Sequence, residues 1–249
     1  MNLFTRILQV SLAVIIFSAS SFANEVNLYS GRHYDSDEKL YAKFTAKTGI
    51  KVNVISGKGK ALMQQIITEG NSSPADLFVT VDAGNLWKAQ KEGLFQKITS
   101  STVDSVVPKN LRGPNNEWVA LAKRARIMYY NPRTVTAAEL DGLTYEDLAK
   151  PEWNGRVVIR KSSNMYNQSL VASLVANHGV DATEAWANGL VANMARKPEG
   201  NDRAQIMAVA NGEADIAVAN SYYIALMLSG KKGPEQQAAA NKVVPFFPS

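Results

Sequence analysis

Two adjacent tyrosines, Tyr222 and Tyr223, sit where a helix is predicted to begin, and a His33-Tyr34 pair follows the first predicted strand. Phenolate oxygens are hard, anionic donors, suited to a hard and highly charged cation. With one well-placed histidine and no cysteine in the chain, these residues point to a site for ferric iron. The two pairs lie far apart in sequence, so only a fold that brings two lobes together can make them one site.

Further candidates stand at similar places. Tyr166 follows a strand predicted over 156–160 and precedes a helix predicted over 167–177. In open parallel sheets, ligands gather at the carboxyl ends of strands. That location suits His33, Tyr34, Tyr166, Tyr222 and Tyr223 alike. Each also has a plainer reading: a surface loop histidine, an N-terminal packing residue at Tyr166, or one core and one interfacial tyrosine at 222–223. The helix position tilts the last case towards a site. Adjacent helical residues diverge by about 100°, yet at a helix N-terminus both can point into a cleft, where the positive dipole end favours phenolate. Tyr129-Tyr130 ends a predicted strand, where neighbours face opposite ways, and reads as packing. Arg124 and Arg126 can neutralise phenolate charge, hold a small anion, or form a solvated strand face. His178, before Gly179 at a helix end, fits a dipole role with no metal.

The elements that position these residues alternate. Strands are predicted over 26–29, 51–55 and 77–81, with helices over 36–48, 60–69 and 83–91. Leu40, Tyr41 and Phe44 mark the apolar face of the first helix, and Gly49 suits its C-terminus. This βαβαβα series predicts a parallel sheet with helices on its faces. A long strand over 118–130 reads as the crossover into a second lobe. It is followed by a short helix over 144–149, helices over 181–194 (with Asp181 as N-cap) and 204–210, a strand over 216–219 and a strand over 243–246. The expected organisation is a signal peptide over 1–23, an N-terminal α/β lobe over 24–120 and a C-terminal α/β lobe over 121–242. A return hinge strand over 243–249 follows, with the chain ending before the first lobe is completed.

Composition narrows the functional classes. Arg6, an apolar run over 7–17 and Ser21-Phe22-Ala23 form a secretory signal with a cleavage site before Asn24. The run is too short for a good membrane span, and no cysteine follows it to carry a lipid. An exported, periplasmic and soluble mature protein is expected. The formal charge of +5 is spread over scattered lysines and arginines, which speaks against nucleic-acid binding. Zero cysteines remove disulfides and thiolate metal sites. There is no Gly-x-Ser-x-Gly, Walker A or His-Glu-x-x-His motif, so no enzyme is expected.

Six ordered stretches carry a family resemblance: 28–34, 74–84, 123–126, 153–157, 166–169 and 220–223. They include Leu28-Tyr29-Ser30-Gly31-Arg32-His33-Tyr34 and Asn220-Ser221-Tyr222-Tyr223. In these the chain resembles the periplasmic ferric-iron-binding proteins of ABC transporters, the FutA-like and FbpA-like branch. The resemblance implies a two-lobed type II periplasmic binding protein fold with a cleft between lobes. It implies Fe³⁺ as the transported ligand, His33, Tyr34, Tyr166, Tyr222 and Tyr223 as its ligands, an inner-membrane ABC permease as partner, and a monomer. Two departures stand out. Many relatives carry an arginine a few residues past the tyrosine pair, where Leu226 and Met227 stand here, and the family chain continues well beyond Ser249. The alternatives left open are a same-fold binding protein for an oxyanion, thiamine or a polyamine, a tyrosinate-iron oxidase, or a non-functional truncated paralogue.

Overall fold

Strand β1 (Glu25–Ser30), helix α1 (Asp35–Thr48), β2 (Lys51–Ser56), α2 (Gly59–Glu69) and β3 (Leu77–Val79) build the first of two compact units, which ends at Thr80. The computed structural model describes residues 24–32 and 34–248. The three strands form a parallel sheet in the order β2-β1-β3, as the alternating pattern predicts. Parallel neighbours need crossovers, and α1 and α2 supply them. Gly49 closes α1 in the left-handed region at φ 74°, its N–H donating to Thr45 O at 2.8 Å. Leu28, Tyr29 and Leu62 are buried in this unit. The apolar face predicted for α1 is not: Leu40 and Phe44 are exposed, and no described residue of the helix is buried.

The second unit, from Val81 onward, contains α3 (Ala83–Lys91), α4 (Ser101–Val106), β4 (Arg126–Tyr130), α5 (Ala137–Leu140), β5 (Val157–Ile159) and α6 (Met165–His178). It continues with α7 (Val180–Ala192), α8 (Asp202–Ala210), β6 (Ile216–Asn220), α9 (Tyr222–Leu228), α10 (Pro234–Ala240) and β7 (Val244–Phe246). Four strands form one mixed sheet in the order β5-β6-β4-β7, with β5 parallel to β6 and the other pairs antiparallel. The segment expected as a return hinge strand is the edge strand of this sheet.

Alternation along β4 and β6 sorts their side chains onto two cores. Ile127, Tyr129, Ala217 and Ala219 face one core, filled by Ile206 and Val209 of α8. Met128, Ile216 and Val218 face the other, filled by Trp153, Leu170, Trp186 and Leu190. All five residues of β6 are buried. A strand covered on both faces reads as an unbroken apolar run, and Ile216-Ala217-Val218-Ala219 is one.

Several predicted boundaries move for local reasons. The strand expected over 118–130 forms only at Arg126–Tyr130. Its partner β6 pairs Asn220 with Arg126 and then turns into α9, so β4 goes no further back, and Val119 instead makes a single antiparallel bridge with Arg112. Gly179, not Asp181, holds the N-cap position of α7. Helix α8 begins earlier than predicted because the Asn201 side chain accepts from Arg203 N–H and Ala204 N–H. The expected lobes run over 24–120 and 121–242; the compact units of the structure divide after Thr80. Residues beyond Thr80 group with the second unit, and contacts of α3 with α6 and the Asp82 side chain with Ser169 help tie them there.

Helix α7 lies close to the 3₁₀ turn Glu146–Ala149. A Cβ added at Gly189 would meet Ala149 O at 2.7 Å and Ala149 Cβ at 2.8 Å. Alanine normally stabilises a helix interior over glycine by about 1 kcal/mol. Here overpacking, typically about 1–3 kcal/mol, wins. Gly189→Ala is therefore expected to lower the denaturant midpoint, and an unchanged or raised midpoint would refute the close approach.

Candidate metal centre

Strands β5 and β6 are parallel neighbours, so their carboxyl ends lie side by side at one sheet edge. Each is followed by a helix: α6 starts at Met165 and α9 at Tyr222. This arrangement brings Tyr166, Tyr222 and Tyr223 together. The Tyr222 and Tyr223 rings lie 4.3 Å apart between centroids, tilted by 33°. The Tyr222 phenol is close enough to those of Tyr223 and Tyr166 to be electrostatically coupled to both. The Asn164 side chain caps α6 by accepting from Tyr166 N–H at 2.9 Å, which sets the backbone of that ligand candidate.

Burial pushes the Tyr222 phenol well above its ordinary range, and the neighbouring phenols of Tyr223 and Tyr166 push it further. Burial raises Tyr223 as well, against a lowering by the neighbouring Tyr222 phenol. Without metal the pair therefore holds its protons at neutral pH. A bound cation of high charge reverses this logic by favouring the deprotonated donors.

Positive charge surrounds the cluster. The Arg124 guanidinium lies 4.6 Å from the Tyr166 ring centroid and that of Arg160 5.3 Å from it. Beneath them lies Asp202, fully buried at 0% exposure. Its carboxylate accepts from Arg126 Nη1 at 3.2 Å, Arg160 Nη1 at 3.1 Å and the Asn220 N–H at 2.9 Å. Arg126 also donates to Asn167 Oδ1 at 2.6 Å, Asn220 Oδ1 at 3.0 Å and Val218 O at 3.2 Å. Asn167 Nδ2 donates to Arg160 O at 2.5 Å. Two guanidiniums share one carboxylate, leaving net positive charge below the phenols. Tyr129 completes the support: its hydroxyl donates to Asn220 O at 3.0 Å and Ser221 O at 3.1 Å, the two residues before Tyr222.

The other predicted candidates sit as follows. Tyr34 lies in the first unit, exposed ahead of α1, with the Arg32 guanidinium 5.1 Å from its ring centroid. His33 lies outside the described residues. Arg126 is buried support and no solvated strand face, whereas Arg124 belongs to the tyrosine cluster. Tyr129 packs in the core as read, and His178 pairs with Glu146 at 2.6 Å. Sequence reasoning missed Asp202, Asn167 and Asn220. Each is an ordinary polar residue next to a cap or strand end, and only burial reveals its role. Among the described residues no group of three or more His, Cys, Asp or Glu gathers to hold a metal. The converging oxygen donors are phenols flanked by guanidiniums, a set that fits a hard trivalent cation.

The bacterial extracellular solute-binding protein family matches residues 72–245. The chain belongs to this family. Iron uptake protein A1 of Synechocystis sp. is 53% identical over 225 residues, 90% of this chain and 62% of that protein. The chain thus spans under two thirds of that relative's length. A Trichodesmium FutA structure, in complex with iron and citrate, is 56% identical with a TM-score of 0.86, covering 90% of this chain and 70% of that one. The ferric binding protein of Campylobacter jejuni is 41% identical with a TM-score of 0.82, over 90% and 70%. The fold is the mixed α/β fold of type II periplasmic binding proteins.

Two outcomes are expected. Asp202→Asn strands two largely buried guanidiniums without a full counter-charge, a class of change that costs about 3–5 kcal/mol when fully buried; a loss under about 1 kcal/mol in denaturant unfolding would refute the keystone role. Burial pushes the Tyr145 phenol up to about 12, against about 10 in an unfolded chain. The folded state then binds the extra proton above about pH 10, so its stabilising contribution is full below that pH and drains as pH rises towards 12. Tyr145→Phe should flatten the alkaline fall in unfolding free energy, and an unchanged slope would count against it.

Proposed function

We propose that this chain captures ferric iron in the periplasm and delivers it to an inner-membrane ABC permease. The observation that carries the reading is the convergence of Tyr166, Tyr222 and Tyr223 at one sheet edge over a net positive support. His33 and Tyr34 are proposed as the further donors. The names of the relatives, an iron uptake protein and ferric-binding proteins, support the same cargo. Residues 1–23 are proposed as the cleaved signal, in keeping with an extracellular binding family. Among the described residues no helix is long and apolar enough to cross a membrane.

The chemistry favours Fe³⁺ over Fe²⁺. Phenols that stay protonated without metal must be ionised by the cation itself, and a trivalent ion does so more strongly than a divalent one. Binding therefore releases protons, and affinity falls on acidification. Reduction or acid both weaken the hold, which gives a carrier two chemical routes to unloading. The role is capture and release, with no substrate turned over.

Titration of the purified, chelator-stripped protein with ferric citrate tests this. A visible tyrosinate-to-iron charge-transfer band should saturate near one iron per chain, vanish in Tyr222→Phe/Tyr223→Phe, and weaken as pH falls. Absence of the band in a cooperatively folded sample would sink the ferric reading.

A further inference from the structure

One corner of the second unit is tied more tightly than packing requires, and it adjoins Tyr166. Asp82 adopts φ 74° and ψ 136°, a backbone conformation that side-chain-bearing residues rarely take. Its carboxylate is fully engaged. Oδ1 accepts from Ser169 Oγ at 2.6 Å and from Gly84 N–H at 3.0 Å, and Oδ2 accepts from Arg124 Nη2 at 2.8 Å. Ser169 stands three residues after Tyr166 on α6, one turn along the same helix face. The first turn of α3 comes so close to α6 that a Cβ at Gly84 would meet Met165 Sδ at 2.7 Å. The Arg124 guanidinium, held at one end by Asp82, lies over the Tyr166 ring at 4.6 Å.

We propose that Arg124 is a positioning residue for Tyr166, and that Asp82 holds Arg124 in that pose. The role for iron rests on the ferric reading above, while the positioning itself does not. A planar guanidinium stacked on an aromatic face restricts the ring's tilt as well as stabilising it. The phenol oxygen then starts near the direction a metal requires, rather than being ordered at the moment of binding. A flexible lysine keeps the charge but loses the flat stacking surface and the fork that reaches Asp82. Asp82→Asn acts at one remove, since it weakens the charged anchor while leaving Arg124 intact.

The test uses the full chain with meta-fluorotyrosine in place of tyrosine, and fluorine NMR of the Tyr166 resonance, assigned by its loss in Tyr166→Phe. In metal-free protein, Arg124→Ala should shift and broaden that resonance while leaving Tyr41's in place. Arg124→Lys and Asp82→Asn should move it less. Thermal melts confirm that the compared variants are folded. Ferric citrate titration then reads the consequence: Arg124→Ala should weaken binding about 10-fold to 100-fold, the range for outer partners of metal ligands, and displace the charge-transfer band. An unmoved Tyr166 resonance in folded Arg124→Ala, Arg124→Lys and Asp82→Asn overturns the proposal. A moved resonance with unchanged ferric affinity and band overturns the role in metal binding. A moved resonance in a protein whose unsubstituted form takes up no iron supports the positioning of Tyr166 and refutes the ferric cargo instead.

Discussion

The buried carboxylate of Asp202 is the constraint on which the tyrosine cluster depends. It joins Arg126 on β4, Arg160 just past β5, and the backbone of Asn220 at the end of β6. Those strand ends carry the two helices on which the tyrosines ride. A buried charge persists only when paired and hydrogen-bonded. Arg126 Nε, Arg160 Nε and Asn220 Nδ2 have no hydrogen-bond partner among the described residues, but both Asp202 oxygens are engaged and Arg126 reaches α6, α8 and β6. The network therefore behaves as a single unit, and a shift of one strand end would strand charge elsewhere. That rigidity is what a site needs when its donors come from different segments of chain.

The support also sets the electrical character of the cluster. Two guanidiniums against one carboxylate leave a cationic floor, and Arg124, its charge matched by Asp82, stands beside Tyr166. Burial alone would keep Tyr222 and Tyr223 protonated. The phenols are thus held neutral when empty, in surroundings that tolerate their charge once a cation has drawn off the protons. On the proposed ferric reading, such a site discriminates by charge, since a weakly charged ion offsets less of the cost of ionising buried phenols. Leu226 and Met227 follow the tyrosine pair here, and the neighbouring cationic groups come from β4, the segment after β5 and a residue two positions before β4.

The two sheets are assembled on different principles. The first unit pairs three parallel strands through helical crossovers, and a helix with few apolar neighbours, α1, lies with Leu40 and Phe44 exposed. The second covers its central strands on both faces, so β6 can be uniformly apolar and its alternating residues serve two cores at once. The tyrosines and their buried support belong to this second, better-packed unit. A ligand cluster built at the edge of a doubly covered sheet takes its precision from the core beneath it.

Much of this was legible in the residues alone. Short strand-like runs before Gly31 and Gly57 mark β1 and β2, and Gly49 marks the end of α1, because backbone periodicity and left-handed turns are local properties. The tyrosines were legible as candidates because phenols after a strand and before a helix occupy a place where open sheets bind ligands. What the chain could not disclose by itself is non-local. Whether Arg126 faces water or a buried carboxylate depends on α8 arriving from far along the sequence. The late start of the strand expected over 118–130 depends on where β6 ends, at the Asn220–Arg126 pair. That Tyr166 meets Tyr222, while Tyr129 becomes a prop, was decided by β5 and β6 lying parallel side by side. Strand order, burial and pairing of charge are properties of the assembled core, and only the tertiary structure sets them.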